Sequence, residues 1–396
     1  MMDRVVITKY GAAVLVLLIK DDRVWDIMGY EPSGNEGFQT GDILKAKVIS
    51  IQKNINAAFL LLIPGVKAFM DMGNRDDIKP EQEIIVQITK EAFGEKEIVV
   101  TPNYSLAGRY MALSSGKKGV GVSRKISGEK REELKELISK KMENIEGFGA
   151  VIRTNAENAP VEAIDGEFDS LYEKLREIER KAQYSVPYIR IYSTMRPESE
   201  YIRDLREAPE KVVTDDPEIY EGLREDFRSD PGIYEKISLY KDSDFPLTKL
   251  YRIEPAIDEI RKRTIYLKSS GTLIIDRTEA CHVIDVNTGK NTEKLSKDEL
   301  ILKTNLEAVK EAARQMRIRN LSGMILIDLI NMTSYSMRNK VINALKEELK
   351  KDRLKAEFID LTGLGIAEVT REKERLPLTE MIKGGKTSSG RFTGTY

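Results

Sequence analysis

"EACHVIDVNTGKN" (279–291) reads as an apolar strand carrying one carboxylate, Asp285, and the fold turns on what that acid is doing there. An unpaired ionised carboxylate is costly to bury, so it stands at the mouth of a sheet, pairs with a cation, or holds a metal ion. Side chains alternate along a strand, which puts Cys281, Val283, Asp285 and Asn287 on one face and His282, Ile284 and Val286 on the other. "SGMILIDLINM" (322–332) repeats this grammar around Asp328. Between the two, Leu302, Leu306, Val309, Ala313 and Met316 recur at helical spacing through 297–321, with lysines and arginines opposite. A strand, a helix and a strand of these lengths predict a crossover unit that lays the strands close together, with both carboxylates at one sheet edge. Two acids there repel unless a cation lies between them. Mg2+ takes one or two carboxylates and keeps waters for a phosphate substrate, and Mn2+ prefers the same oxygen ligands. Asn287, on the same face, adds a hydrogen bond without adding charge. From the residues alone the plainer alternative stays open: each Asp caps its strand or pairs with an arginine such as Arg277 or Arg314.

The composition narrows the chemistry. With 396 residues, 41% hydrophobic and 33% charged, the chain has room for two to four domains with real cores. One cysteine, Cys281, excludes an internal disulfide and every internal Cys-x-x-Cys zinc site, so no zinc site is expected. One histidine, His282, excludes a two-histidine metal site, and it points away from Asp285, which leaves it a core or edge role. Carboxylates with a hard metal are what remain for an enzyme. The longest apolar run, "GAAVLVLLI" (11–19), is under half of the ~20 residues of a membrane span, and "MMDRVV" has no charged leader ahead of an apolar segment, so a cytoplasmic location is expected. A net charge of −1 creates no global field for nucleic acid. The densest basic segments are 114–130 and "RQMRIR" (314–319), although a charge run is more often a solvated face.

Along the chain, "VVITKY", "AAVLVLLI" and "VWDIMGY" within 3–30 predict strands joined by a "KDDR" turn. Five short strands follow between 42 and 101, a texture that suits a small barrel of the OB type. Phe59 and Phe69 fall on neighbouring strands of it, with Lys53, Lys67 and Lys96 around them. Exposed aromatics among lysines suit single-stranded nucleic acid, because bases stack on rings while ammonium groups track phosphates; core packing of both rings is the alternative. Helical spacing at 129–144 and 161–183 brackets a strand at 149–154, a separate small α/β unit. Segment 214–245 is polar, with Asp-Pro breaks; 263–276 resumes strands; a helix spans about 334–352. The Gly-, Ser- and Thr-rich tail is expected to be disordered.

"TEACHVIDVNTGK", "TNLEAVKEAARQMRIRNLSGMILIDLINM" and "DLTGLGIAEVTREK", with "SLAGRYMAL" and "AAFLLLIPGVKAFM" upstream, resemble the catalytic core of the RNase E/G family of bacterial endoribonucleases in order over nearly the whole chain. The resemblance implies an α/β multidomain fold: an RNase H-like domain (1–36 and 214–278) split around an OB-fold barrel (37–105) and a 5′-phosphate sensor with a flanking strand (106–213), then a DNase I-like catalytic domain (279–382) and a flexible tail (383–396). It assigns Asp285 and Asp328 to the Mg2+-binding aspartates and Asn287 to the asparagine that supports them. Phe59, Phe69 and Lys96 match RNA-contacting residues. Gly108, Arg153 and Thr154 match a pocket for a 5′ monophosphate, and Arg124 with Lys125 stands where the family has two arginines; Lys125 keeps the charge without the guanidinium fork. Lys355 stands where the family carries an arginine. The Cys-Pro-x-Cys zinc link and small domain of well-studied members have no counterpart here, so a monomer or a homodimer through the catalytic domain is expected rather than a zinc-bridged tetramer. The expected activity is Mg2+-dependent hydrolysis of single-stranded, A/U-rich RNA to 5′-phosphate and 3′-hydroxyl ends, favoured by a 5′ monophosphate, in messenger decay and ribosomal RNA processing. A non-catalytic RNA-binding protein and a metal-dependent DNA nuclease are the competing classes.

Overall fold

The computed structural model describes residues 3–32, 38–73, 75, 77–92, 97–228, 230–242, 244–289, 296–373 and 377–382. The chain forms two compact units, 1–32 with 196–396 and 33–195. Lys96 and the tail from 383 lie outside the described residues.

The first unit opens with an antiparallel meander of β1 (Arg4–Tyr10), β2 (Ala13–Lys20) and β3 (Arg23–Tyr30). Asp21 and Asp22 both take positive φ (51° and 56°) in the tight turn between β2 and β3, the twist that a two-residue hairpin demands. Seven of the eight residues of β2 are buried, so this central strand reads as a continuous apolar run and not as an alternation.

The second unit is inserted after β3. Strands β4 (Ile43–Gln52), β5 (Ala57–Ile63), β6 (Val66–Asp71), β7 (Glu83–Lys90) and β8 (Ile98–Thr101) run in the order β4-β5-β6-β8-β7, and β4 also pairs with β7, which closes a five-stranded barrel. Leu44, Ala46, Val48, Ala58, Leu60, Ala68, Met70 and Val86 fill it. Next come β9 (Ser105–Ala107), β10 (Met111–Ser115), β11 (Gly119–Val122), α1 (Gly128–Met142), β12 (Phe148–Ile152) and α2 (Val161–Tyr184). The sheet order is β11-β12-β10-β9, and α2 lays Ile164, Phe168, Leu171, Leu175 and Ile178 into the core beneath it. β13 (Ile189–Tyr192) then returns to pair with β4.

The chain rejoins the first unit at Arg196. After α3 (Pro197–Asp204), β14 (Lys211–Thr214) pairs in parallel with β1, setting Val212 and Val213 beside Val5 and Val6; this apolar pairing ends the insertion earlier than residue 213, where the sequence reading drew its boundary. The Asp-Pro dipeptides turn out to start helices, not to break the chain. Asp216 accepts from Glu218 N (2.9 Å) and Ile219 N (3.1 Å) with Pro217 at the first position of α4 (Pro217–Asp226), and Asp230-Pro231 opens α5 (Pro231–Tyr234). β15 (Ile237–Leu239) completes the sheet order β15-β14-β1-β2-β3.

After α6 (Leu247–Leu250) and α7 (Ile253–Arg261) a second sheet forms from β16 (Thr264–Tyr266), β17 (Thr272–Arg277), β18 (Cys281–Asn287), β19 (Gly323–Asp328), β20 (Ala356–Leu361) and β21 (Ile366–Arg371), in the order β16-β17-β18-β19-β21-β20. β18 and β19 are parallel and joined by α8 (Lys297–Arg319); α9 (Tyr335–Lys350) follows β19, and α10 (Leu378–Met381) closes the described chain. Ser296 and Glu299 form a capping box at the start of α8, and Asn320, at φ 51°, ends it. The basic run 314–319 is not a surface for nucleic acid. Arg314, Arg317 and Arg319 are buried: Arg314 donates to Val24 O (2.9 Å) and pairs with Glu311 and Glu259, Arg319 donates to Lys262 O (2.7 Å), and Arg317 stacks 4.3 Å from the ring of Trp25. No described helix is long and apolar enough to cross a membrane.

Asp352 and Arg371 form an ion pair at 2.8 Å with both side chains 2% exposed, and Arg371 also donates to Asn320 Oδ1 and Leu321 O. The pair ties the end of α9 to β21, and the bonds to Asn320 and Leu321 tie the end of α8 to the same strand. Replacing Asp352 by Ala leaves a guanidinium buried without its counterion, so the expected loss is about 3–5 kcal/mol, read as a lower urea midpoint for the transition that reports this sheet.

Candidate functional site

Register decides the geometry at the last sheet. Asp285 of β18 lies directly opposite Asp328 of β19, with Ile284 opposite Ile327. Strands in register are about 4.8 Å apart, so the carboxylates share one face at the C-terminal edge. Ile284, Val286, Ile325 and Ile327 point the other way into the core under α8 and α9. His282 lies with them, buried, its Nδ1 without a hydrogen-bond partner; burial and the Arg277 charge push its pKa down. It takes no part in the acidic face.

Asn287 Nδ2 donates to Asp285 Oδ2 at 2.7 Å. No described cation pairs with either aspartate: Arg277 is engaged by Glu380, and Arg314 by Glu259 and Glu311. Among the described residues no group of three or more His, Cys, Asp or Glu forms a cage for a metal ion. Two adjacent carboxylates and an amide instead fit a hard divalent cation that keeps most of its shell for water and phosphate oxygens.

Two loops at this edge are fixed by α8. Buried Asn305 donates to Ile330 O (2.8 Å) and accepts from Ile330 N (3.0 Å), clamping the loop just beyond Asp328. Glu307 accepts from Lys268 N (2.5 Å) and Ser269 N (2.8 Å) in the loop that abuts the end of β18. The approach there is close: a Cβ at Gly289 would lie 1.9 Å from Ser270 O. Asn305 is not among the residues that the sequence singles out, although a polar side chain four residues before Val309, on the apolar stripe of a helix, is the signal that finds it.

On the barrel, Phe59 and Phe69 are directly paired across β5 and β6, their rings edge to face with centroids 5.9 Å apart. Their neighbours Ala58, Leu60, Ala68 and Met70 fill the core, whereas both rings are half-exposed on the outer face; core packing is therefore excluded for them. Lys53 and Lys67 are exposed nearby in sequence.

The α/β part of the second unit gathers most of the remaining candidates. Arg153, at the end of β12, donates from Nη1 to Gly108 O (2.6 Å) and from its backbone N to Tyr110 O (2.7 Å). Thr154 Oγ1 lies 2.9 Å from Ser123 Oγ, which accepts from Lys125 N (3.3 Å). Arg124 is exposed on the same turn. Arg131 of α1 pins that turn by donating to Val122 O, Ser123 O and Ile126 O. Glu167 of α2, not picked out from the sequence, accepts from Arg109 N (2.7 Å), Tyr110 N (2.7 Å) and Met111 N (2.9 Å). Burial pushes its carboxyl pKa up, against the pull of those three donors and of Arg153.

Residues 105–374 match the model of the Ribonuclease E/G family. The chain is 30% identical over 380 residues to ribonuclease E of Escherichia coli K12, covering 90% of this chain and 35% of that protein. It is 31% identical to a putative ribonuclease E of Buchnera aphidicola subsp. Baizongia pistaciae (86% and 88% covered) and 34% identical to ribonuclease G of Escherichia coli K12 (77% and 62%). The chain thus spans roughly a third of the length of the first of these relatives.

Titration with Mn2+, followed by its free-ion paramagnetic resonance signal, tests the acidic edge. Asp285→Asn and Asp328→Asn are each expected to weaken binding by about tenfold or more, since each removes one of two charged ligands.

Proposed function

The chain belongs to the ribonuclease E/G family, and from that premise we propose that it is a Mg2+-dependent endoribonuclease acting on single-stranded RNA. The observation that carries this reading is the register pairing of Asp285 with Asp328, with Asn287 bonded to the first. Asp285 and Asp328 would hold the cation, Mg2+ or Mn2+, and Asn287 fixes the direction in which Asp285 presents its oxygens. The bound ion would polarise the scissile phosphate. Water adds to phosphorus and the bond to the 3′ oxygen breaks, which leaves a 3′ hydroxyl upstream and a 5′ phosphate downstream.

Phe59 and Phe69 offer bases a stacking surface that is indifferent to sequence, and Lys96 belongs to the same proposed RNA contact. A/U-rich segments, which stay single-stranded most readily, are the proposed targets. Arg153, Thr154 and the turn bearing Arg124 and Lys125, beside Gly108, form the proposed pocket for a 5′ monophosphate: guanidinium, hydroxyl and backbone N–H groups are the donors a terminal phosphate needs. In domain terms, the first sheet is read as RNase H-like, the barrel as an OB-fold and the last sheet as DNase I-like. A cytoplasmic role in RNA decay and ribosomal RNA processing, and a homodimer through the last sheet's domain, belong to the same reading.

The test uses one labelled A/U-rich sequence as RNA and as DNA, with Mg2+ or EDTA. The expected outcome is cleavage of RNA in Mg2+ alone, with Asp285→Asn slower by about two orders of magnitude or more, the scale of several kcal/mol of lost transition-state stabilisation. RNA bound but uncut in every lane would mark a binding protein, and equal cutting of DNA would mark a nuclease blind to the sugar.

A further inference from the structure

Three consecutive backbone N–H groups converging on one point form a concavity that ordinarily takes an anion from solution. At Arg109, Tyr110 and Met111 the chain fills that concavity itself, with the carboxylate of Glu167. The contact also explains Gly108: a Cβ there would sit 2.4 Å from both Cδ and Oε1 of Glu167, so any larger residue displaces the carboxylate. The other side of the same turn faces Arg153, whose guanidinium and backbone N–H bond the carbonyls of Gly108 and Tyr110. The 108–111 turn is therefore a spacer, with its N–H groups tied to α2 and its carbonyls tied to the residue after β12.

We propose that Glu167 is a positioning residue of the 5′-end pocket: by holding the turn's N–H groups it fixes the Gly108 carbonyl, and through it the direction in which Arg153 presents its guanidinium. The inference rests on the monophosphate reading of that pocket. Glu167 touches no substrate. A guanidinium reads a terminal phosphate through paired N–H donors, so a small rotation of the fork costs recognition where a point charge would tolerate it. Glu167→Gln keeps the size and one acceptor oxygen but turns an N–H2 towards donors that need an acceptor.

The experiment measures kcat and KM for wild type, Glu167→Gln and Glu167→Asp on one RNA in 5′-monophosphate and 5′-hydroxyl forms, with melting curves for each protein. The expected result is a rise of about tenfold in KM for the monophosphate form in Glu167→Gln, the worth of one charge-assisted hydrogen bond. The 5′-hydroxyl form, which leaves the pocket empty, reports whether the rest of the enzyme is intact. Glu167→Asp, which keeps the charge but withdraws it by one methylene, is expected to fall between. An unchanged monophosphate preference in both variants overturns the positioning role while leaving the pocket reading in place. Equal losses on both substrates, or failure of both variants to fold, makes Glu167 a residue of general stability and overturns it too. A wild type that does not distinguish the two ends removes the pocket reading itself, and this inference with it.

Discussion

The acidic edge depends on a helix that is buried on most of its surface. α8 carries fourteen buried residues, among them Asn305, Arg314, Gln315, Arg317 and Arg319. Burying three guanidinium groups is unfavourable unless their donors find partners, and for Arg314 and Arg319 the acceptors come from several directions: Glu259 and Lys262 O at and after α7, Val24 O in β3, Glu311 within α8. Arg317 donates from Nε to Trp25 O, its two Nη atoms have no acceptor, and its guanidinium lies 4.3 Å from the Trp25 ring. The helix is thereby fixed along its axis and about it. Its register then sets Asn305 against Ile330 and Glu307 against Lys268 and Ser269, and those loops frame the two carboxylates. Positioning at the edge comes from side chains two layers away from it.

Much of this was legible in the sequence, because strand alternation is a local code. The faces of β18, the crossover through α8 and the meeting of Asp285 with Asp328 follow from period two, period 3.6 and the length of the connection. The five barrel strands were legible for the same reason. What composition could not separate was the direction of Phe59 and Phe69, since an aromatic on a strand suits either face; only the small or apolar neighbours Ala58, Leu60, Ala68 and Met70 commit the inner face.

The rest was hidden because its partners are distant or belong to the backbone. Glu167 looked like one more acid on an acidic helix, and its donors are main-chain groups some sixty residues earlier. The arginines of 314–319 looked solvated, because lysine and arginine opposite an apolar stripe usually are; the stripe gave no sign that another sheet covers that side. The Asp-Pro pairs look like breaks in a polar segment, whereas an N-cap acid followed by proline at the first helical position is a signal that a helix starts.

The parallel pairing of β1 with β14 also has a temporal side. Arg4 pairs with Lys211, so β1 waits for a partner strand that leaves the ribosome about 200 residues after it. At elongation rates of about 5–20 residues per second that interval is on the order of 10–40 s. Throughout it the meander β1–β3, whose central strand is buried almost end to end in the finished protein, presents a bare edge, while the inserted unit, complete by residue 195, has all of its own strands in hand. Synthesis therefore favours an order in which the insertion matures before the sheet that encloses it in sequence can close.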